Sequence, residues 1–363
     1  MAYSTIDKGS THFDVLQYTG NSSNRTLTDL SFQPDFVWIK DKGNTRNHML
    51  FDAVRAATKH IHTNDGDAEA TLADTLTAFT SNGFSLGTDS TAGSALVNGN
   101  SNNYVSWNWK AGTGAGSSNT DGSINTVSTS VNNTAGFSIS KYTGTGANAT
   151  VGTGLNKEPK MLIVKNLTDG STEWMIGFRG FQPSLTGNGF ASNRYIHFTS
   201  ASYSTNSSSW NSTAPTSAGV VSLGDGSYVN GSGKSYIMYA FADIDGYQKT
   251  GSYIANANTN GPFIYTGFKP AFFMMCNRDN NARWMIADNK RDVGNECNNR
   301  ISPSSDAGNA VSGDIGCDFL SNGIKIRGGS TSNINYVAGN TYGYIAIADA
   351  PIVGSNNVPA TAR

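Results

Sequence analysis

One pattern is written three times along this chain, and only folds that tandem copies can build are compatible with it. The first copy holds Thr19-Gly20, Pro34-Asp35-Phe36-Val37-Trp38-Ile39-Lys40, His48-Met49-Leu50-Phe51, Ser81-Asn82-Gly83-Phe84 and Tyr104-Val105-Ser106-Trp107-Asn108-Trp109. The second holds Thr143-Gly144, Pro159 through Lys165, Trp174-Met175-Ile176-Gly177, Gly219 through Leu223 and Tyr236 through Phe241. The third holds Thr250-Gly251, Pro270 through Cys276, Trp284-Met285-Ile286-Ala287, Ser321-Asn322-Gly323-Ile324 and Tyr342 through Ile347. A period of about a hundred residues is too long for a solenoid and suits a small domain.

The spacing predicts an N-terminal arm (1–10), a first module (11–111), a Gly/Ser/Asn-rich linker (112–135), a second module (136–243), a third module (244–349) and a polar tail (350–363). The linker reads as flexible from its composition, with 124–134 continuing it or adding an edge strand. Val105, Trp107 and Trp109 alternate with Ser106 and Asn108, the mark of a half-buried strand. Phe36 to Ile39, Met161 to Val164 and Phe272 to Met275 are unbroken apolar runs, as in central strands covered on both faces. Pro34, Pro159 and Pro270 precede those runs, where a missing N–H does not disturb the ladder. Asn-Gly and Asp-Gly pairs supply tight turns. Leu72, Leu76 and Phe79 would share a face of a short surface helix, against which a loop is the alternative. The fold class expected is all-β: three tandem antiparallel β-sandwich (jelly-roll or lectin-like) modules of six to eight strands, each burying its own core.

Only 14% of residues are charged, Gly numbers 41, and the net charge is −1. Without a Lys/Arg run, nucleic acid is not an expected partner. The N-terminus lacks a signal-peptide pattern and no apolar stretch reaches the ~20 residues of a membrane helix. Manufacture in a host cytoplasm followed by release at a virion surface fits this combination. Cys276, Cys297 and Cys317 form no Cys-x-x-Cys pair and read as ordinary thiols.

Catalytic patterns are missing. Four glutamates, Glu69, Glu158, Glu173 and Glu296, give no paired-carboxylate strand for glycoside hydrolysis, and most aspartates sit in turns. His60-Ile61-His62 on a strand would place both rings on one face, a spacing compatible with metal. Asp65-Gly66-Asp67-Ala68-Glu69 could offer oxygens to calcium. For both, packing and turn chemistry are the preferred readings, and no metal or cofactor is expected. Trp107, Trp109, Trp174 and Trp284 occupy repeated positions and read as core. Tyr203 and Trp210 lie in a Ser/Asn-rich loop (200–216) peculiar to the second module, and are the expected ligand-binding residues.

The opening Met1-Ala2-Tyr3-Ser4-Thr5-Ile6, the block Gly20 through Lys40, the Ser81-Asn82-Gly83-Phe84 turn, Val105 through Gly112, Phe137 through Gly146 and Thr361-Ala362-Arg363 resemble a family of uncharacterised marine tailed-phage virion proteins with tandem lectin-like β-sandwich modules. That resemblance implies a non-enzymatic virion structural protein of the tail fibre or host-adhesion apparatus. The alternatives are a capsid decoration protein and, less favoured, a glycan-degrading virion enzyme. The expected partners are other virion proteins, further copies of the chain (a homo-oligomer, with a trimer favoured) and host surface glycan.

Overall fold

The structure, a computed structural model, describes residues 4–353 apart from 91–92, 94–95, 180–191, 200–203, 280–283, 309 and 312–315. The first stretch of chain forms β1 (Phe13–Thr19), β2 (Arg25–Leu27), β3 (Phe36–Asp41), β4 (Met49–Asp52), β5 (Lys59–His62), β6 (Ala70–Thr71), β7 (Leu76–Thr80), β8 (Gly83–Leu86) and β9 (Asn103–Trp109). The second forms β10 (Ser128–Asn132), β11 (Phe137–Thr143), β12 (Ala149–Gly152), β13 (Met161–Asn166), β14 (Met175–Phe178), β15 (Arg194–Tyr195), β16 (Ser204–Thr205), α1 (Ser207–Trp210), β17 (Val220–Leu223), α2 (Ser227–Asn230) and β18 (Ser235–Phe241). The third forms β19 (Gln248–Ile254), β20 (Phe263–Tyr265), β21 (Phe268–Asn277), β22 (Met285–Asp288), β23 (Asn299–Arg300), β24 (Ala310–Val311), β25 (Cys317–Leu320), β26 (Gly323–Ile326) and β27 (Thr341–Pro351).

The fold is all-β and antiparallel, with nine strands among the described residues of each stretch where six to eight were expected; the excess comes from two-residue strands. Each large sheet contains the same four-strand order, β1-β9-β3-β4, β11-β18-β13-β14 and β19-β27-β21-β22. A small sheet accompanies each: β2-β8-β7, β12-β17 and β20-β26-β25. Alternation along the strands decides what the large sheets bury. Val37 and Ile39 meet Leu27, Phe84 and Leu86 of the small sheet in one cluster, and Leu162 and Val164 meet Val151, Val221 and Leu223 in another.

The opposite faces correct the expectation of separate cores. Phe36, Trp38, Trp107 and Trp109 join Met161, Ile163, Tyr239 and Phe241, then Phe272, Met274, Ile345 and Ile347, in one pooled core. The unbroken apolar runs are therefore covered on both faces, as expected, but the second cover is the other two repeats. At the centre lies a cavity of about 20 Å³ lined by Trp38, Trp174, Tyr239, Phe272 and other apolar groups of all three repeats. It is near the size of one water and gives water no polar partner.

Inside each sandwich a stacked tyrosine pair recurs: Tyr18–Tyr104 with centroids 5.2 Å apart, Tyr142–Tyr236 at 5.3 Å and Tyr253–Tyr342 at 5.0 Å. The first hydroxyl of each pair donates to Val97, Val229 or Ile334 carbonyl oxygen, 2.7 Å away every time. The residue after each carbonyl is a fully buried asparagine, Asn98, Asn230 or Asn335. Its amide donates to two backbone oxygens, Ser23 and Gly87, Ala147 and Gly224, or Asn258 and Gly328. Its oxygen accepts from the backbone N–H of Asn21, Thr145 or Asn256. A buried amide satisfied this completely fixes the loop around it.

Other expectations change too. Ser106 and Asn108 are not at a solvent face but fully buried, because they lie opposite Ile39 and Val37, on the face that meets the small sheet, and Asn108 donates to Asp14 and Ser106 oxygens. The Gly/Ser/Asn-rich linker is tied down: Asp35 accepts from the N–H groups of Ala111, Thr113 and Gly114, Ser117 pairs with Thr129, and β10 adds the foreseen edge strand. The helix considered around Leu72 to Phe79 is replaced by β6 and β7, since β7 pairs with β8 and buries only Leu76 deeply. Pro270 sits inside β21 between two register shifts, opposite Ala348, and the ladder skips its neighbour Ala271. The N-terminal arm packs: Ile6 enters the pooled core, and a side chain on Gly9 would collide with the Ala348 carbonyl oxygen. All three cysteines are buried, and burial pushes the Cys276 thiol up.

Candidate functional site

The polar groups trapped between repeats form joints that run in one cyclic direction. Trp174 Nε1 of the second repeat donates to the His62 carbonyl of the first (2.7 Å), and Trp284 Nε1 of the third donates to the His197 carbonyl of the second (3.0 Å). His48 holds the matching position in the first repeat; it accepts from Trp38 Nε1 at 2.9 Å and lies against the Ser302 and Ser305 backbone of the third. Burial, then Lys40, holds the His48 imidazole well below its ordinary range. Lys40 and Lys165, one position beyond the apolar runs, are fully buried. Lys40 Nζ donates to Asp306 oxygen of the third repeat (3.0 Å), and Lys165 Nζ to Gly66 oxygen of the first (2.9 Å). Cys276 stands at the third such position.

Burial pushes both ammonium groups down to about 8, against the pull of neighbouring carboxylates. In the unfolded chain they hold their protons to about pH 10.4. Between those values the unfolded state binds more protons, so their contribution makes stability rise with pH, by at most about 1.4 kcal/mol per pH unit per lysine. Deep burial raises Tyr142 and Tyr253 well above the ordinary phenol value, which reverses the trend above about pH 10. The Cys276 and Cys317 thiols, both held well above the ordinary thiol value, oppose that rise above about pH 8.5. The lysine's share is therefore read as a difference: between pH 8 and 9.5 the urea midpoint of Lys165→Met should climb less, or fall more, than that of the wild-type chain. Identical pH slopes for the two proteins would refute the coupling.

The sequence's candidate ligands come together in part. His60 and His62 rings are 5.1 Å apart, but burial, then His62 and Arg55, depresses His60 to about 4. His62, Asp65 and Asp67 place ligand atoms within 4.8 Å of one another, with His62 Nδ1 2.8 Å from Asp65 Oδ2. Glu69 turns away to Lys59 and Arg55. Three such groups could hold a cation in principle. Here the Lys165 ammonium sits on the intervening Gly66 carbonyl and supplies positive charge, so the cluster acts as part of the joint.

Trp210 is fully buried in the core of the second sandwich, its Nε1 donating to the Arg194 carbonyl at 3.0 Å, and presents no ring face to a ligand. Tyr203 lies outside the described residues. The long loop does distinguish the second repeat, but its tryptophan serves packing.

What the sequence reading missed lies on the third repeat. Of eight large apolar side chains exposed among the described residues, six (Ile254, Phe263, Tyr265, Val293, Tyr336 and Val337) fall there. Strand register makes the comparison sharp. Phe263 lies opposite Lys325, as Thr26 lies opposite Ser85 and Thr150 opposite Ser222. Tyr265, two residues on, corresponds to Thr28 and Gly152. The third repeat thus puts two aromatic rings, 47% and 55% exposed, where its siblings have threonine or glycine. Beside Tyr265 opens a cleft of about 380 Å³ lined by Arg179, Asp243, Asp245, Gln248, Lys249 and Gly267 among others. Arg179 bonds Asp243 at 2.8 Å. Lys249 Nζ donates to the Tyr265 carbonyl at 2.8 Å and lies 5.3 Å from the Tyr265 ring centroid.

Neither a curated protein nor a solved structure matches the chain. One family model does, over residues 8–351, and it takes in all three sheet systems and the segments between them as a single unit. The chain therefore belongs to the family described as a domain of unknown function, DUF7483.

Proposed function

We propose that the chain is a structural protein exposed on a tailed-phage particle, serving in the tail-fibre or host-adhesion apparatus without catalysing a reaction. The observation that carries the reading is the concentration of exposed aromatic side chains on one repeat of an otherwise polar body. Large apolar groups on a surface mark interaction sites, and a rigid scaffold with one differentiated copy suits recognition. The sequence resemblance supplies the virion setting. Assembly with other virion proteins and with further copies of the chain belongs to the same proposal, and the mass in solution distinguishes one chain from three.

The pooled core favours a second role, capsid decoration, because it makes a compact knob in place of an extended shaft. Adsorption separates the two. Purified chain in excess should bind host cells and block particle attachment if it serves adhesion. A chain that neither binds cells nor slows attachment removes the adhesion reading, and labelling it on the capsid shell would establish the second.

A further inference from the structure

The geometry points to a saccharide site on the third repeat: the cleft beside Tyr265, with the Phe263–Tyr265 aromatic edge, binds an uncharged, hydroxyl-rich oligosaccharide. This names the ligand class of the adhesion reading and rests on that reading for its biological role. Sugar rings carry a C–H face and a rim of hydroxyls, so they need an exposed aromatic surface next to convergent polar groups. Both are present here. β20 alternates Phe263 out, Ile264 in and Tyr265 out, which places the two rings on one side of the strand. A side chain on Gly323 would meet the Ile264 carbonyl oxygen at 2.2 Å and the Phe263 ring at 2.9 Å, so the glycine serves the close approach of the strands and leaves the ring its place.

The cleft offers both kinds of hydrogen-bonding group. Asp245 is exposed and can accept, while Arg179 and Lys249 keep donors at its wall. Gly246 and Gly267 have φ of +72° and +85°, values that glycine adopts without strain, and no side chain rises from the wall at either position. Two cations, Arg179 and Lys249, are matched by two anions, Asp243 and Asp245. That balance gives a polyanion or phosphate no net attraction and favours a neutral ligand. The volume of about 380 Å³ lies within the ~300–1,000 Å³ range of small-molecule sites. The sibling repeats provide an internal comparison, since their threonine and glycine at the aromatic positions leave no stacking surface.

The test uses the full chain and a panel of neutral trisaccharides (maltotriose, cellotriose, laminaritriose, mannotriose and chitotriose), with polyphosphate as the anionic comparison, read by saturation-transfer NMR and titration calorimetry. At least one trisaccharide should bind. Tyr265→Ala and Asp245→Ala should each weaken that binding by about tenfold, while Thr26→Ala on the first repeat leaves it unchanged. Both altered positions are exposed, and an unchanged melting temperature confirms folding. Absence of binding across the panel, preference for polyphosphate, or binding indifferent to both variants overturns the inference. Attachment competition run alongside separates the two levels. If the Tyr265→Ala/Asp245→Ala chain still blocks particle attachment, the cleft is excluded and adhesion survives. If the wild-type chain binds sugar but blocks nothing, the cleft stands and adhesion falls.

Discussion

Trp174→Ala should destabilise the whole chain by about 3–5 kcal/mol and shift a single unfolding transition, because the side chain removed belongs to the core that all repeats share. Its ring is fully buried, lies 5.6 Å from Phe198 and 6.5 Å from Tyr239, and borders the central cavity. Truncation enlarges that cavity and strands the His62 carbonyl, which loses the 2.7 Å bond from Nε1. Trp174→Phe keeps most of the packing and should cost only about 1–3 kcal/mol, chiefly the unsatisfied carbonyl. Val293→Ala, at a position 83% exposed, should change nothing measurable. Urea unfolding followed by near-ultraviolet dichroism and calorimetry reads the result. Separate transitions in the wild-type chain, only one of which moves in Trp174→Ala, would contradict a pooled core.

The strands of this fold were legible because each repeat writes them in apolar alternation, and three aligned copies reinforce one another. What covers the second face of Phe36 to Ile39 was not legible: an apolar run announces burial without naming the cover. The pooled core follows only from the juxtaposition of Trp38, Ile163 and Met274, which are more than a hundred residues apart. Ser106 and Asn108 misled for a related reason, since small polar groups bonded to backbone oxygens are buried without betraying it in sequence. Two signals were present and unused. Val97-Asn98-Gly99 and Val229-Asn230-Gly231 spell the buried-asparagine loop directly, while Ile334-Asn335-Tyr336 departs from it just where the third repeat becomes aromatic. Likewise Ile61, Ile196 and Ile301 mark one position across the repeats, each opposite β4, β14 or β22. Reading the copies against each other at Thr26, Thr150 and Phe263 would have picked out the aromatic edge. Trp210 drew attention instead because a unique loop with a tryptophan looks like a binding loop until its burial is known.

Removing the Asp52 carboxylate alone should cost about 3–5 kcal/mol, while removing its partners with it should restore much of that loss. Asp52 and Arg55 have no solvent-exposed side-chain surface. Asp52 accepts from the Arg55 backbone N–H and guanidinium and, across the joint, from the Tyr239 hydroxyl at 2.7 Å. Asp52→Ala leaves a buried guanidinium without its ion-pair partner at 2.5 Å, with Glu69 3.5 Å away and the Leu50 carbonyl still accepting from it. The chain contains its own control for the compensated variant. At the second joint Asp288 pairs with Arg291 and accepts from Trp107 Nε1 at 3.1 Å. At the third the matching positions are Phe178 and Ile345, both apolar and both in the pooled core. One fold thus tolerates a carboxylate with a hydrogen-bonding partner or two apolar side chains at the same pair of positions. Asp52→Phe combined with Tyr239→Ile copies Phe178 and Ile345, and Arg55→Leu removes the guanidinium left without its carboxylate; the triple variant should lie closer to wild type than Asp52→Ala does. Tyr239→Phe, which removes one hydrogen bond to a charged group, should cost about 1.5–3 kcal/mol and less on an Asp52→Ala background. Equal costs of Tyr239→Phe on both backgrounds would mean that the hydroxyl and carboxylate are not coupled, and that packing and the Trp174 and Lys165 bonds hold the joint between the first two repeats without them.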